Sequence, residues 1–311
     1  MRPTLLPLLA IAALRLPTSL FASLTAPSGA PSIAPSVFYD AFSTRIYDPK
    51  GRVLQLEYAL EAARKGGAVV GAVSGDFVIL ASWIPRSSRR QMPTTRQEAL
   101  GLWHCDKNIA LAGTGLATDV IALADLARNE CRAHRYIHDS PLRVGRLTNL
   151  LAKEIHDTER HRILPYAVDL LVAGYDFEDD TGGRGRPGLF KIAPAGVIQS
   201  FRACAVGRGA EAAHAYLSEK LQVSLAGDGN DGKSLREHAT VVLQALVRSM
   251  TGEDSGRSVQ ESECCIEEDV SIAVVGKNLP YTSLFVSWDP WSRRMKVSIP
   301  KALAQRFERQ E

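Results

Sequence analysis

The stretch Ala68–Ser82, AVVGAVSGDFVILAS, places two continuous apolar runs around Ser74, Gly75 and Asp76. Three turn-forming residues between two runs of this length predict a hairpin, and runs without polar alternation predict strands covered on both faces. NIALAG (108–113) repeats that character. Upstream, Val53, Leu56, Leu60 and Ala63 share one helical face over 53–65, and Arg64 and Lys65 suit its C-terminal dipole before Gly66 and Gly67. Downstream come two helical stripes: Val120, Leu123, Ala127 and Cys131, then Leu147, Leu150, Leu151 and Ile155, with Asp139, Ser140 and Pro141 between them. They predict an antiparallel pair.

A second group of strands follows at VDLLVAGYD (168–176), GLFKIA (188–193) and VIQSFRACAV (197–206). Helices are expected at about 209–221 and 235–250, and a last strand at DVSIAVVG (269–276). Strands, helices, strands and helices in segregated runs predict an α+β fold, with two antiparallel sheets face to face and helix pairs outside, a four-layer αββα sandwich. There is no internal repeat.

The 311 residues, 45% hydrophobic and 23% charged, are enough for one large core. A formal charge of +3 gives no ground for a nucleic-acid partner. The cluster Arg86, Arg89, Arg90 and Arg96 has no interleaved aromatics and fits a solvated loop. Five scattered cysteines without a CxxC pair argue against a disulfide scaffold or structural zinc. Residues 1–36 run from Arg2 through an apolar block, Leu5 to Leu14, into Ala, Ser, Thr and Pro, the pattern of a leader or a disordered arm. The block is shorter than the roughly 20 residues a spanning helix needs. The domain is expected over 37–282. Residues 283–311, with six basic and three acidic side chains plus Trp288 and Trp291, are expected to form a basic C-terminal extension.

Two motifs point toward phosphate chemistry. Gly227, Gly232, Lys233 and Ser234 satisfy G-x4-G-K-S, a loop whose backbone N–H groups cradle phosphates, and a nucleotide-binding enzyme built on it is the alternative reading. The segment before it continues a helical stripe of Ala213, Tyr216, Leu217 and Leu221, where the motif needs a buried strand, and Ser234 with Glu237 forms a capping box. Gly207, Arg208 and Gly209 fit a tight strand-to-helix turn better than a dinucleotide loop. His134 and His138 stand at i, i+4 but lack the intervening Glu of a zincin helix, so solvated or capping roles are expected for them, as for His156 and His161. No metal or cofactor is implied, and no GxSxG elbow occurs.

The segment FYDAFSTRIYDPKGRVLQLEYALEAARKGG (38–67) resembles the amino-terminal signature of the alpha subunits of the 20S proteasome core, with its Tyr-Asp element, Pro-x-Gly-Arg turn and Gln-x-Glu-Tyr-Ala helix. Further matches run in order through DKNIALAGTGLATDV (106–120), LPYAVDLLVAGYD (164–176), LFKIAPAG (189–196), ACAVGRGAEAAHAYL (203–217) and EDVSIAVV (268–275). RNECRAHRYIHDSPLRVGRL (128–147) looks most like the alpha-6 or alpha type-1 branch.

The resemblance implies the Ntn-hydrolase sandwich, a non-catalytic subunit, and no cofactor. In the related beta subunits an amino-terminal Thr is the nucleophile, with Asp and Lys nearby. Here Gly67 falls at the nucleophile position and Trp83 at that of the supporting Asp. The family places seven alpha subunits in each outer ring, against a ring of beta subunits, and the ring receives a regulatory particle or other activators in ubiquitin-dependent degradation. The resemblance assigns gate and ring-assembly roles to Tyr39, Asp40, Pro49, Gly51, Arg52, Gln55, Glu57 and Tyr58, and implies cytoplasm and nucleus. A functional leader would instead imply the secretory pathway or an organelle. Gly101 stands where many alpha subunits carry a lysine that lines an activator pocket, and Ala41 and Phe42 follow the Tyr-Asp element where the pattern often has Arg.

Overall fold

The computed structural model describes residues 47–84, 98, 101–161, 164–177, 185–225, 235–251, 270–277, 279–289 and 294–298. Helix α1 (Leu54–Lys65) leads into the hairpin β1 (Ala68–Ser74) and β2 (Phe77–Trp83), whose strands pair Val70 with Ala81 and Ala72 with Ile79. Strands β3 (Leu102–Asp106) and β4 (Ile109–Gly115) follow, then helices α2 (Ala117–His138) and α3 (Val144–His161). Next come β5 (Val168–Asp176), β6 (Arg186–Ile192), β7 (Ile198–Ser200) and β8 (Ala203–Gly207). Helices α4 (Ala210–Leu225) and α5 (Leu235–Thr251) precede β9 (Val270–Gly276), β10 (Leu279–Asp289) and β11 (Arg294–Ser298).

Two antiparallel sheets result, ordered β11-β10-β9-β2-β1-β8 and β3-β4-β5-β6-β7. Because successive strand residues face opposite sides, β1 sends Ala68, Val70 and Ala72 to one face and Val69 to the other. The first set packs under Ala213, Leu217, Ala239, Val242 and Leu246 of α4 and α5. Val69 meets Val78, Leu80, Leu171, Ala173 and Leu189 in the layer between the sheets. On the far side, Leu123, Ala127, Leu147 and Leu151 of α2 and α3 cover Leu111, Leu170 and Val172. This is the αββα sandwich, and it explains the unbroken apolar strands: both of their faces are buried. Helix α1 buries only Ala59 and Ala63 and sits at the end of the sandwich, touching β4 and β5 of one sheet and β8 of the other.

Three features depart from the sequence reading. The expected single strand 197–206 is two, because Ile198–Ser200 pairs with β6 while Ala203–Gly207 pairs with β1. Phe201 and Arg202 carry the chain from one sheet to the other, held by Phe201 N–H to Leu189 O at 3.0 Å and Val73 N–H to Arg202 O at 2.7 Å. Strand β3, in which His104 and Asp106 alternate with the buried Trp103 and Cys105 and so break any apolar run, was not expected at all. The boundary between the domain and the basic extension, drawn at 282/283, falls inside β10, since Ser283 and Leu284 pair with β9 and Phe285–Asp289 pairs with β11. The basic character of that segment reads as a tail, whereas its backbone pairs with β9 and β11. The leader, 1–36, lies outside the described residues. Among the described residues no helix is long and apolar enough to cross a membrane.

Strand β8 is the edge of the six-stranded sheet, and one of its amides is closed by a side chain of the neighbouring helix. The Ala205 N–H donates to His214 Nε2 at 3.3 Å, which fixes that nitrogen as the unprotonated one. Burial lowers the pKa of this imidazole from its usual 6.5. The folded state therefore holds the ring neutral while the unfolded chain takes up a proton below pH 6.5, so this contribution is present above that value and lost as pH falls through the lower folded pKa. Urea denaturation between pH 7.5 and 5 is expected to show stability falling with acidity, and His214→Gln, which keeps an acceptor but does not titrate, to flatten part of that fall. An unchanged slope would show that the ring does not carry it.

Candidate functional site

The junction between α1 and β1 lies at the end of the sandwich where both sheets converge, the position at which the sequence reading places a nucleophile in related chains. Helix α1 ends as Gly66 N–H bonds Ala63 O at 3.3 Å. Thr114 Oγ1 of β4 points at two carbonyls, Ala63 O at 2.9 Å and Gly67 O at 3.2 Å, and Arg208 N–H donates to Gly67 O at 3.1 Å. One peptide carbonyl thus ties the start of β1 to β4 and to the β8–α4 turn.

The approach leaves no room for side chains. A Cβ on Gly67 would stand 2.4 Å from Trp83 O, and one on Gly66 would stand 2.4 Å from both Gly115 N and Thr114 Oγ1. Gly207, at φ +86, would place a Cβ 1.9 Å from Gly67 O. At each of the three glycines at least one of these short distances is to a backbone atom, which cannot swing away. Position 67 holds no hydroxyl, and its nitrogen is a peptide nitrogen in a continuous chain. Trp83 offers no carboxylate: its ring packs on the outer cluster beneath α4 and α5, with the Arg208 guanidinium 5.9 Å from the ring centroid.

Ionisable groups do remain beside the junction. Asp169, paired across the sheet with Thr114, is 6% exposed, and its Oδ2 lies 3.7 Å from Lys191 Nζ. Burial pushes the Asp169 carboxyl above the usual carboxylate range, and Lys191 and Arg64 pull it back. Asp169 Oδ1 and, on β2, Ser82 Oγ are buried without a hydrogen-bond partner in the structure. Cys204 is fully buried, and desolvation pushes its thiol up to about 11, far from the thiolate needed for nucleophilic work. A Ser–His pair also occurs, Ser74 Oγ to His238 Nε2 at 3.0 Å, but both residues are buried and His238 Nδ1 has no acid behind it. The arrangement supplies a buried carboxylate and a partly exposed lysine, without a nucleophile at position 67.

The residues assigned to the gate and ring cluster are only partly brought together. Tyr39 and Asp40 lie outside the described residues. Pro49 and Gly51 form the turn before α1, in which Asp48 N–H bonds Arg52 O and Gly51 N–H bonds Asp48 O, both at 2.8 Å. Asp48 Oδ1 accepts the Lys50 N–H, and that bond, ahead of the Arg52 guanidinium, holds its carboxyl below the usual range. Arg52 reaches Asp48 at 3.2 Å and Glu57 at 3.5 Å, joining the turn to the first turn of the helix. Gln55, Glu57 and Tyr58 lie on α1, and Tyr58 is half exposed. Asp48, the residue that organises this turn, was not singled out in sequence, although an Asp directly before Pro-x-Gly is the usual signal for it. Thr114, Asp169 and Lys191 were missed because they sit in strands that read as plain core.

The features that define the class are a sandwich of two antiparallel sheets between helix pairs, with Gly67 at the junction of α1 and β1. A family profile described as "Proteasome subunit" matches residues 63–260, and the chain belongs to that family. Among its relatives are proteasome subunit alpha type-1 of Drosophila melanogaster, 30% identical over 247 residues covering 79% of this chain and 80% of that protein, and the alpha type-1 subunit of Trypanosoma brucei rhodesiense, 32% identical over 79% and 83%. Proteasome subunit alpha type-6 of Saccharomyces cerevisiae is 27% identical over 78% and 93%. The nucleotide reading gains no support from these relatives, and its loop, 227–234, lies outside the described residues.

If the junction is closed by packing, installing the family nucleophile must fail. Gly67→Thr is expected to gain no peptide-hydrolysing activity and to lose about 1–3 kcal/mol of stability from overpacking, measured by urea denaturation beside a fluorogenic peptide assay. A stable variant would show that the junction can open.

Proposed function

We propose that this chain is a non-catalytic alpha-type subunit of the 20S core, built into the seven-membered outer ring against a ring of beta subunits, where it serves assembly and gating of substrate entry in ubiquitin-dependent degradation. The observation that carries the reading is the junction at Gly67, which has neither a hydroxyl, nor a free amine, nor space for a side chain. The alpha-type names of the relatives support the same reading.

In this reading α1, which buries only two alanines against its own domain, keeps its outer face for a neighbouring subunit. The Asp48–Arg52–Glu57 chain of contacts sets the direction in which residues upstream of the turn leave the helix. Tyr39, Asp40, Pro49 and Tyr58 are the proposed gate cluster, an aromatic pair with hydrogen-bonding tips beside a rigid turn. Gly101 provides no ammonium group for the carboxylate of an activator, so a regulatory particle would be held at other ring positions. Cytoplasm and nucleus are the proposed locations, with the secretory pathway or an organelle as the alternative if the leader acts.

Native affinity purification of the tagged chain at its endogenous level, with mass spectrometry of what comes with it, tests the proposal. Recovery with other alpha and beta subunits in one particle of several times the mass of the chain is the expected result. Recovery of the chain alone would contradict it. The amino terminus read in the same experiment distinguishes an intact leader from a trimmed one.

A further inference from the structure

The C-terminal turn of α2 carries His134 and His138, one helical turn apart and therefore on one face. Their ring centroids are 4.5 Å apart with planes inclined at 47°. His138 is exposed and His134 half-buried. The helix ends at Asp139, which takes the left-handed conformation at φ 49 and ψ 26 and returns its N–H to Arg135 O at 2.9 Å. That reversal carries the next carbonyl back under the helix, and Ser140 O lies 3.1 Å from His134 Nδ1.

A carbonyl only accepts, so Nδ1 must carry the hydrogen and Nε2 the lone pair. A backbone carbonyl that fixes the tautomer of an imidazole and turns its other nitrogen outward is the support usually found behind metal-binding histidines. Here it is built from the helix cap itself. The guanidinium of Arg135, next in sequence to His134, is paired with Asp106 at 2.7 and 2.6 Å to its two oxygens, which opposes its charge. None of this is needed for the proteasome-type fold, in which α2 packs through Leu123, Ala127 and Cys131 on its other side.

We infer that His134 and His138 form a two-imidazole chelate for a first-row transition ion of borderline softness, of the Zn2+, Ni2+ or Cu2+ class, on the surface of α2. Two nitrogens select this class over Mg2+ and Ca2+, which require oxygen ligands. They supply half of a tetrahedral set. Among the described residues there is no group of three or more His, Cys, Asp or Glu side chains that could hold a metal, so the remaining positions fall to water or to a side chain brought by a contacting molecule.

The test uses the full chain and the metal ions alone. Titration with NiCl2 or ZnCl2 by calorimetry is expected to show one site, weakened at least about tenfold by His134→Ala and by His138→Ala, and unchanged by His156→Ala, an exposed histidine on α3. Circular dichroism of each variant checks folding. At one equivalent of CuCl2, electron paramagnetic resonance of the unmutated chain is expected to show coupling to two imidazole nitrogens. That reading needs no variant. Equal affinity in all three variants, or copper bound through a single nitrogen, would overturn the inference.

Discussion

One peptide carbonyl, Gly67 O, receives hydrogen bonds from Thr114 on the five-stranded sheet and from the Arg208 N–H that follows β8 on the six-stranded sheet. It can do so only because Gly66, Gly67 and Gly207 bring three backbones closer than any Cβ allows. The same contact registers the two sheets at one end of the sandwich and seats α1 over it. It also fills the place where a catalytic nucleophile would stand. Architecture and chemistry are thus set by one constraint: a junction tight enough to lock the layers has no room for a reactive side chain.

The charged groups left beside that junction illustrate the point. Asp169 and Lys191 are close enough to interact, and burial moves the Asp169 carboxyl upward. Gly67, the residue beside them at the junction, has no side chain to act on a peptide. The partly exposed Lys191 instead offsets part of the desolvation of the buried Asp169, a pairing that is tolerated more than it is stabilising.

Much of this was legible before any coordinates. The strands β1, β2, β4, β5 and β9 show themselves as unbroken apolar runs because each is covered on both faces, and the stripes of α2, α3 and α5 are regular enough to assign their buried sides. What failed has physical reasons. Phe201 and Arg202 interrupt no hydrophobic pattern, so the crossing from β7 to β8 is visible only in the pairing partners. The strands after Gly276 were hidden by basic side chains on a segment whose alternation is ordinary for a sheet edge. At the site, Gly66 and Gly67 were visible as a helix stop, but that their lack of a side chain is imposed by Trp83 O and Thr114 follows only from the packing. The histidine pair of α2 was visible as i, i+4 spacing. Its supporting carbonyl was not, because it depends on the left-handed turn at Asp139.

The central proposal is that this chain is built into a threonine-protease particle without sharing its chemistry. The most direct test is to treat the particle purified through this chain with an electrophilic peptide probe that forms a covalent adduct with amino-terminal threonine, and to map the adducts by mass spectrometry. The account predicts adducts on other chains of the particle and none on this one. A probe adduct on this chain, at Thr114 or at a newly exposed amino terminus, would contradict it.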